Sequence, residues 1–312
     1  MEILDLDERR VTEPVCLMIG NFDGVHLGHQ AIIAKAKTFA QAHGLKTAVL
    51  SFDPHPLKVL APEKAPRLLQ TPFQKRALLA YHGVDFYVVQ HFDKALSLLS
   101  PEAFIERLKA RVAFRFIFVG FNFHFGHRRE GTPETLIALA DKYGFSVEMV
   151  DAYIKDGSPI SSSRIRKLLL EGSVDQAHAL LGRPYFLEGQ VVHGDQVGGK
   201  IQTPTANIDV TNELLPKFGV YSSWARVDNH WFRAITNIGI APTLHRTEPR
   251  VETHLFDFDA SLYDHHLVVC LGRFMRPEIR FDSLSALKSR IGEDIRQRLA
   301  FEDRTPPVFP IL

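Results

Sequence analysis

The stretch Gly20-Asn21-Phe22-Asp23-Gly24-Val25-His26-Leu27-Gly28-His29-Gln30 restricts the fold of this chain more than any other segment. An apolar run, Val15 to Ile19, leads into it, and Ile32, Ile33, Ala36, Phe39 and Ala40 follow with helical spacing up to a stop at Gly44. Glycines and histidines therefore sit on a tight strand-to-helix turn. Such a turn aims backbone N–H groups and the positive end of a helix at one place, and an anion, above all phosphate, is its natural guest. His26 and His29 stand three residues apart at a helix start, so both can face one ligand, donate to its oxygens and stabilise charge developing at phosphorus. The competing uses of such a pair are half of a zinc site or a satisfied core histidine. A structural zinc needs about four ligands, and no cysteine or third histidine is suitably placed.

The rest of the first half repeats the same alternation. Leu45 to Phe52, Val84 to Val89, Arg115 to Val119 and Phe145 to Val150 read as strands. Between them, Thr71-Pro72-Phe73-Gln74, Ser100-Pro101 and Thr132-Pro133 open helices with a capping hydroxyl and a proline at the first helical position. Strands and helices in alternation imply a doubly wound parallel sheet covered on both faces, with ligands bound beyond the carboxyl ends of the strands. Ser51-Phe52-Asp53-Pro54-His55-Pro56 and Gly120-Phe121-Asn122-Phe123 also follow strands, so they should converge on the glycine-histidine turn.

The character changes near Gly182. Ser161 to Leu181 reads as two short helices broken at Gly172-Ser173, and Tyr185 to about Phe281 is a run of short β segments. Among these, Val220–Val227, the turn at Asp228-Asn229 and Trp231–Thr236 form a hairpin pattern, and an amphipathic helix runs from Ser283 to Leu299. The expectation is two domains, 1–182 and 183–312, the second a compact β-barrel with a terminal helix.

Composition narrows the function by exclusion. A net charge of +1 gives no basic field for nucleic acid. No apolar run reaches the roughly 20 residues that span a bilayer. The acidic start, Met1 to Glu8, lacks the pattern of a signal peptide, and two cysteines, Cys16 and Cys270, suit a reducing, cytoplasmic compartment. The number of copies in the assembly, monomer or homo-oligomer, stays open.

The pattern Gly20-x-Phe22-Asp23-Gly24-x-His26-x-Gly28-His29 resembles the HxGH signature of the nucleotidylyltransferase superfamily, and Ile160-Ser161-Ser162-Ser163-Arg164-Ile165-Arg166 resembles its second signature. With the Ser51–Pro56 loop between them, they are similar to the adenylyltransferase half of the prokaryotic bifunctional riboflavin kinase/FAD synthetase family. The resemblance implies that His26 and His29 bind ATP phosphates on a turn shaped by Gly20, Phe22, Asp23, Gly24 and Gly28. Ser162, Ser163 and Arg166 would hold phosphates as well. Hydroxyls at a helix start can cap it and touch phosphate, and arginine adds a planar, permanent positive fork. Asn122 stands where the family often has Asp; it can still hydrogen-bond a nucleotide or flavin, but not as a carboxylate. The charged loop His127–Gly131 reads equally well as solvated or as touching substrate.

The second half continues the likeness. Gly198-Gly199-Lys200-x-x-x-Pro204-Thr205-Ala206-Asn207 and Val251-Glu252-Thr253-His254, together with Leu181–Tyr185, Gly219-Val220-Tyr221, Asn237-Ile238-Gly239 and Leu262-Tyr263, resemble the riboflavin kinase module. The resemblance implies that Gly199 and Lys200 approach phosphate, that Thr205 and Asn207 bind Mg2+ and ATP phosphate, and that Glu252 takes the proton of the ribityl hydroxyl. Oxygen donors suit a hard magnesium ion, and a carboxylate suits proton removal. Lys200 replaces a common Arg, and Asp264 replaces a usual Gly. The alternation places Glu252 on one side with His254, Phe256 and Phe258. The function implied is ATP-dependent conversion of riboflavin to FMN and of FMN to FAD. The alternatives are a nucleotidylyltransferase for another acceptor and a non-catalytic flavin binder.

Overall fold

The computed structural model describes residues 1–193, 204–240, 249–303 and 305–307, and the chain divides into two compact units, Met1–Ser161 and one beginning at Ser162. The first unit runs β1 (Glu2–Asp5), β2 (Val11–Ile19), α1 (Leu27–Ala42), β3 (Lys46–Asp53), α2 (Pro56–Leu60), α3 (Pro72–Tyr81), β4 (Phe86–His91), α4 (Lys94–Ser97), α5 (Pro101–Arg111), β5 (Val112–Gly120), α6 (Pro133–Tyr143), β6 (Ser146–Val150) and a small hairpin, β7 (Ile154–Lys155) with β8 (Ser158–Pro159). The six strands β1-β4-β3-β2-β5-β6 lie side by side, all parallel. One core packs Leu17, Leu50, Val88 and Ile117 against Ile105 and Leu136; the other packs Met18, Val49 and Phe118 against Ile33, Leu78 and Leu79. Helices thus cover both faces, as the alternation implies.

Local chemistry sets the helix starts. Thr71 accepts from the Gln74 backbone, and the Gln74 side chain accepts from the Thr71 backbone, a complete capping box ahead of Pro72. Ser100 and Thr132 cap α5 and α6, and Gly144 closes α6 at φ 67°. The edge strand β1 is unanticipated: four residues, two of them acidic, carry little strand pattern, and pairing with β4 brings Leu4 and the following Leu6 into the core.

The second unit contains α7 (Ser162–Glu171), α8 (Val174–Leu181), β9 (Phe186–Val192), β10 (Ala206–Val210), β11 (Gly219–Val227), β12 (His230–Gly239), β13 (Arg250–Leu255), β14 (His266–Arg276) and α9 (Leu284–Leu299). Six antiparallel strands close a barrel in the order β10-β13-β12-β11-β14-β9. Gly172, at φ 83°, breaks α7 from α8, and the Lys217 backbone N–H donates to the Leu169 carbonyl, tying α7 to the barrel. Inside, a chain of buried hydroxyls, Ser223 to Thr236 to Thr253, spans 2.8 and 3.0 Å contacts, so each polar group on these inward positions has a partner. On the outside, fully buried Arg298 of α9 donates to the carbonyls of Ala234 and Ser223 and pairs with Asp303 at 2.7 Å.

Two tests of this barrel use Trp224 and Trp231, the two tryptophans of the chain, whose fluorescence reports the second unit. A Cβ at Gly189 of β9 would overlap the Asp209 carbonyl of β10. Gly189→Ala is expected to destabilise the barrel by about 1–3 kcal/mol, read as a lower urea midpoint in tryptophan fluorescence. The second concerns His178 of α8, whose buried Nε2 has no hydrogen-bond partner among the described residues. Burial, helped by the Arg183 cation, pulls its pKa down to about 4 from 6.5. The unfolded chain takes up this proton first. The stability contribution is therefore intact above pH 6.5 and is lost as pH falls from there towards about 4. In His178→Leu the acid-side decline of unfolding free energy over that window should be shallower than in the wild type.

Candidate active site

The turn after β2 is built from unusual backbone. Phe22, Gly24 and Val25 take φ of 47°, 86° and 38°. A β-branched residue in the left-handed region is costly, so surrounding contacts must hold Val25 there, and it is fully buried. Those contacts are specific. Buried Asp23 accepts from the Leu69 backbone at 2.9 Å, the Gln70 amide donates to the Phe22 carbonyl at 2.8 Å, and the Gln30 amide donates to Val25 at 2.9 Å. Asp23 thus braces the turn from below.

His26 is the N-cap of α1, and its Nδ1 accepts from the His29 backbone at 3.4 Å. With that nitrogen accepting, the neutral ring carries its proton on Nε2, as a donor. The two imidazoles stack at 3.7 Å between centroids, and Phe22 lies 4.9 Å from His29. A Cβ on Gly28 would stand 3.2 Å from the His26 ring, so the glycine leaves space for that ring. The structure brings together His26, His29, Gly20, Phe22, Asp23, Gly24 and Gly28.

The convergence expected at the sheet edge is present. Strands β3, β2 and β5 are adjacent and parallel, so the loops after each of them emerge at one edge. His55 caps α2 through Nδ1, and its Nε2 lies 3.1 Å from the Asn21 side-chain amide, linking the β3 loop to the turn. Asn122 is exposed after β5, where Phe123 N–H closes a tight turn onto Gly120. The loop at His127–Arg129 is a 3-10 turn with Arg128 and Arg129 exposed. Lys75 of α3, which sequence reasoning passed over, donates to the Asn21 carbonyl at 2.9 Å and to Ser51 Oγ at 3.3 Å. Burial lowers its pKa, with Asp23 and Asp53 opposing that shift. The available signal was a lysine beside the buried stripe of Gln74, Leu78 and Leu79.

Ser162 and Ser163 occupy the first turn of α7, and Arg166 donates to Ser163 Oγ at 3.5 Å. These three residues therefore share one end of one helix.

In the barrel, register does the assembling. Asn207 of β10 pairs directly with Glu252 of β13, which pairs on its other side with Asn237 of β12. The three side chains form a row on the face turned away from the buried Thr236, Val251 and Thr253. Thr205 lies two residues from Asn207, on the same side, and is exposed. Arg250 reaches Asn207 Oδ1 at 3.5 Å, and the His254 ring contacts the Pro204 carbonyl at 2.7 Å. The alternation that pairs Glu252 with His254 ends with β13 at Leu255; Phe256 is buried and Asp257 turns the chain at φ 57°. Asp264 takes φ 66°, so the position needs a left-handed residue, and Asp is among the few side chains that tolerate it. Gly199 and Lys200 lie outside the described residues. Among the described residues no group of three or more His, Cys, Asp or Glu is arranged to hold a metal.

A parallel α/β unit with stacked histidines on an anion-shaped turn, joined in one chain to a barrel presenting a hydroxyl, two amides and a carboxylate, has the makings of a two-module phosphate-transfer enzyme. Residues 8–164 match the FAD synthetase family, and residues 181–301 match the riboflavin kinase family. A bifunctional riboflavin kinase/FMN adenylyltransferase from Listeria monocytogenes is 36% identical over 91% of this chain and 91% of its own length. One of the same name from Escherichia coli is 35% identical over 95% of each. A crystal structure from Streptococcus pneumoniae, described as a macrolide-efflux protein, matches with a TM-score of 0.86 and 26% identity over 97% of this chain and 100% of that one. Among the described residues no helix is long and apolar enough to cross a membrane. The chain belongs to the family of bifunctional riboflavin kinase/FMN adenylyltransferases, which are transferases.

Proposed function

We propose that the turn after β2 serves adenylyl transfer from ATP to FMN, and that the row around Glu252 serves phosphorylation of riboflavin, so that one chain makes FMN and then FAD. The observation that carries this is the register that sets Asn207 directly beside Glu252, since neither residue alone distinguishes a kinase site from an ordinary barrel face. Residues 1–182 carry adenylyl transfer and residues 183–312 carry riboflavin phosphorylation.

In the kinase step the ribityl hydroxyl attacks the γ-phosphorus of ATP, the bond to ADP breaks, and Glu252 takes the hydroxyl proton. Its half-buried carboxylate stands between the amides of Asn207 and Asn237, on the barrel face that also carries Thr205, and a carboxylate can accept the proton as the oxygen bonds to phosphorus. The exposed Thr205 hydroxyl and the Asn207 amide oxygen are hard donors on one side of the barrel, which fits magnesium held by few protein oxygens together with phosphates. When bound, the ion neutralises phosphate charge. Gly199 and Lys200 are proposed phosphate contacts.

Adenylyl transfer makes different demands. A phosphate oxygen of FMN attacks the α-phosphorus of ATP and pyrophosphate leaves. The nucleophile is already an anion, so the site needs donors and positioning, not a base. His26, with Nε2–H directed away from its capping bond, and His29 supply them; Ser162, Ser163 and Arg166 bind ATP phosphate, and Asn122 contacts nucleotide or flavin. Magnesium accompanies this ATP too. The enzyme works in the cytoplasm, where the two buried thiols stay reduced.

The test supplies purified protein, ATP and magnesium with either riboflavin or FMN and separates the flavins chromatographically. FMN and FAD are expected from the first mixture and FAD from the second. If neither product forms, the reading fails.

A further inference from the structure

Lys75 stands out as a half-buried cation whose ammonium group donates to the segment that opens the anion-binding turn. Its helix face otherwise buries Gln74, Leu78 and Leu79, and an apolar residue there would avoid the desolvation cost of an ammonium group. Its two acceptors come from different strands. The Asn21 carbonyl belongs to the segment leaving β2, and Ser51 Oγ lies in β3, fully buried and itself 3.2 Å from that carbonyl. The side chain of Asn21 continues the link to His55 at 3.1 Å. Directly after Asn21 the backbone enters the left-handed conformation of Phe22, from which the turn to His26 unfolds. One ammonium therefore joins the ends of two adjacent strands at the point where the turn begins.

We propose that Lys75 is a positioning residue for adenylyl transfer: by holding the Asn21 carbonyl and the Ser51 hydroxyl, its ammonium group sets Asn21 against His55 and fixes the start of the turn that carries His26 and His29. An ammonium suits the task because it can donate to both acceptors at once, whereas a hydroxyl has a single proton to offer. The inference rests on the reading of this turn as the adenylyl-transfer site. Lys75 acts through the turn's geometry, so its loss affects turnover more than substrate affinity.

The full-length protein tests this with Lys75→Met, Lys75→Gln and Lys75→Arg. FAD synthesis from FMN is measured at varied ATP and FMN, with FMN formation from riboflavin as the control in the same chain. Lys75→Met is expected to lower kcat for FAD synthesis by about 10- to 100-fold, the range of a small misplacement of reacting groups, with KM for both substrates and the kinase rate little changed. Lys75→Arg, which keeps charge and several donors, should recover much of that loss. Lys75→Gln, which keeps a donor without charge, should fall between; it carries the test if circular dichroism shows that Lys75→Met does not fold. Wild-type kcat in the folded Met or Gln variant overturns the proposal. So does a loss confined to KM, which would make Lys75 a substrate contact. A His26→Ala/His29→Ala variant run in parallel separates the two levels. If it retains FAD synthesis, the reading of the turn fails; if it loses FAD synthesis while Lys75→Met retains it, only the role of Lys75 fails.

Discussion

Glu252→Ala is expected to abolish FMN formation from riboflavin, with a loss of about 10²- to 10⁴-fold for removal of a general base, while FAD synthesis from supplied FMN persists. The expectation follows from the row Asn207–Glu252–Asn237. Alanine removes the carboxylate but leaves the barrel strand intact, because the buried side chains of β13 are Val251, Thr253 and Leu255, not Glu252. Stability should therefore change little, and the effect should appear in turnover. Glu252→Gln is a sharper version. It keeps size and hydrogen-bonding capacity and removes only the proton acceptor, so it should lose nearly as much. Flavin chromatography after incubation with ATP and magnesium reads both activities in one assay. Loss of FAD synthesis in the folded variant would count against separate sites.

The reciprocal result is expected from His26→Ala/His29→Ala. FAD synthesis should fall by about 10²- to 10³-fold or more, the scale for removing one donor to a developing charge, while riboflavin is still phosphorylated. The two rings stack on each other and His26 caps α1, so the single variants are unlike in kind. His26→Ala also removes a cap, at about 1 kcal/mol, whereas His29→Ala leaves the cap in place. His26→Asn separates the contributions, since asparagine restores the cap without the imidazole; it should recover stability but not activity. Unchanged FAD synthesis in the folded double variant would remove the histidines from the reaction.

Much of the first unit was legible because its signals are local. The capping box at Thr71-Pro72-Gln74, the caps at Ser100 and Thr132, and the Gly144 stop each depend on a few consecutive residues. The turn was legible as well, since glycines at Gly24 and Gly28 leave a strained backbone and a histidine ring the space they need. Lys75 was not legible in the same way. Its partners lie 54 and 24 residues earlier in the chain, and only the strand order β3-β2 places them together. The barrel register was hidden for a related reason. Which residue of β12 or β10 stands beside Glu252 depends on how the connecting segments close, and a slip of one position would turn Glu252 inward. Asp264 is the opposite case: its φ of 66° is a left-handed conformation that glycine adopts freely and aspartate is among the few side chains to tolerate.

The account's central claim is that two successive displacements at phosphorus occur on this one chain, and that they leave different products of ATP. The most direct measurement is a time course with riboflavin, ATP and magnesium that follows FMN, FAD, ADP and pyrophosphate together. FMN should rise first and then decline as FAD accumulates, with one ADP for each riboflavin phosphorylated and one pyrophosphate for each FAD made. FAD formed without pyrophosphate, or riboflavin consumed without ADP, would contradict the account.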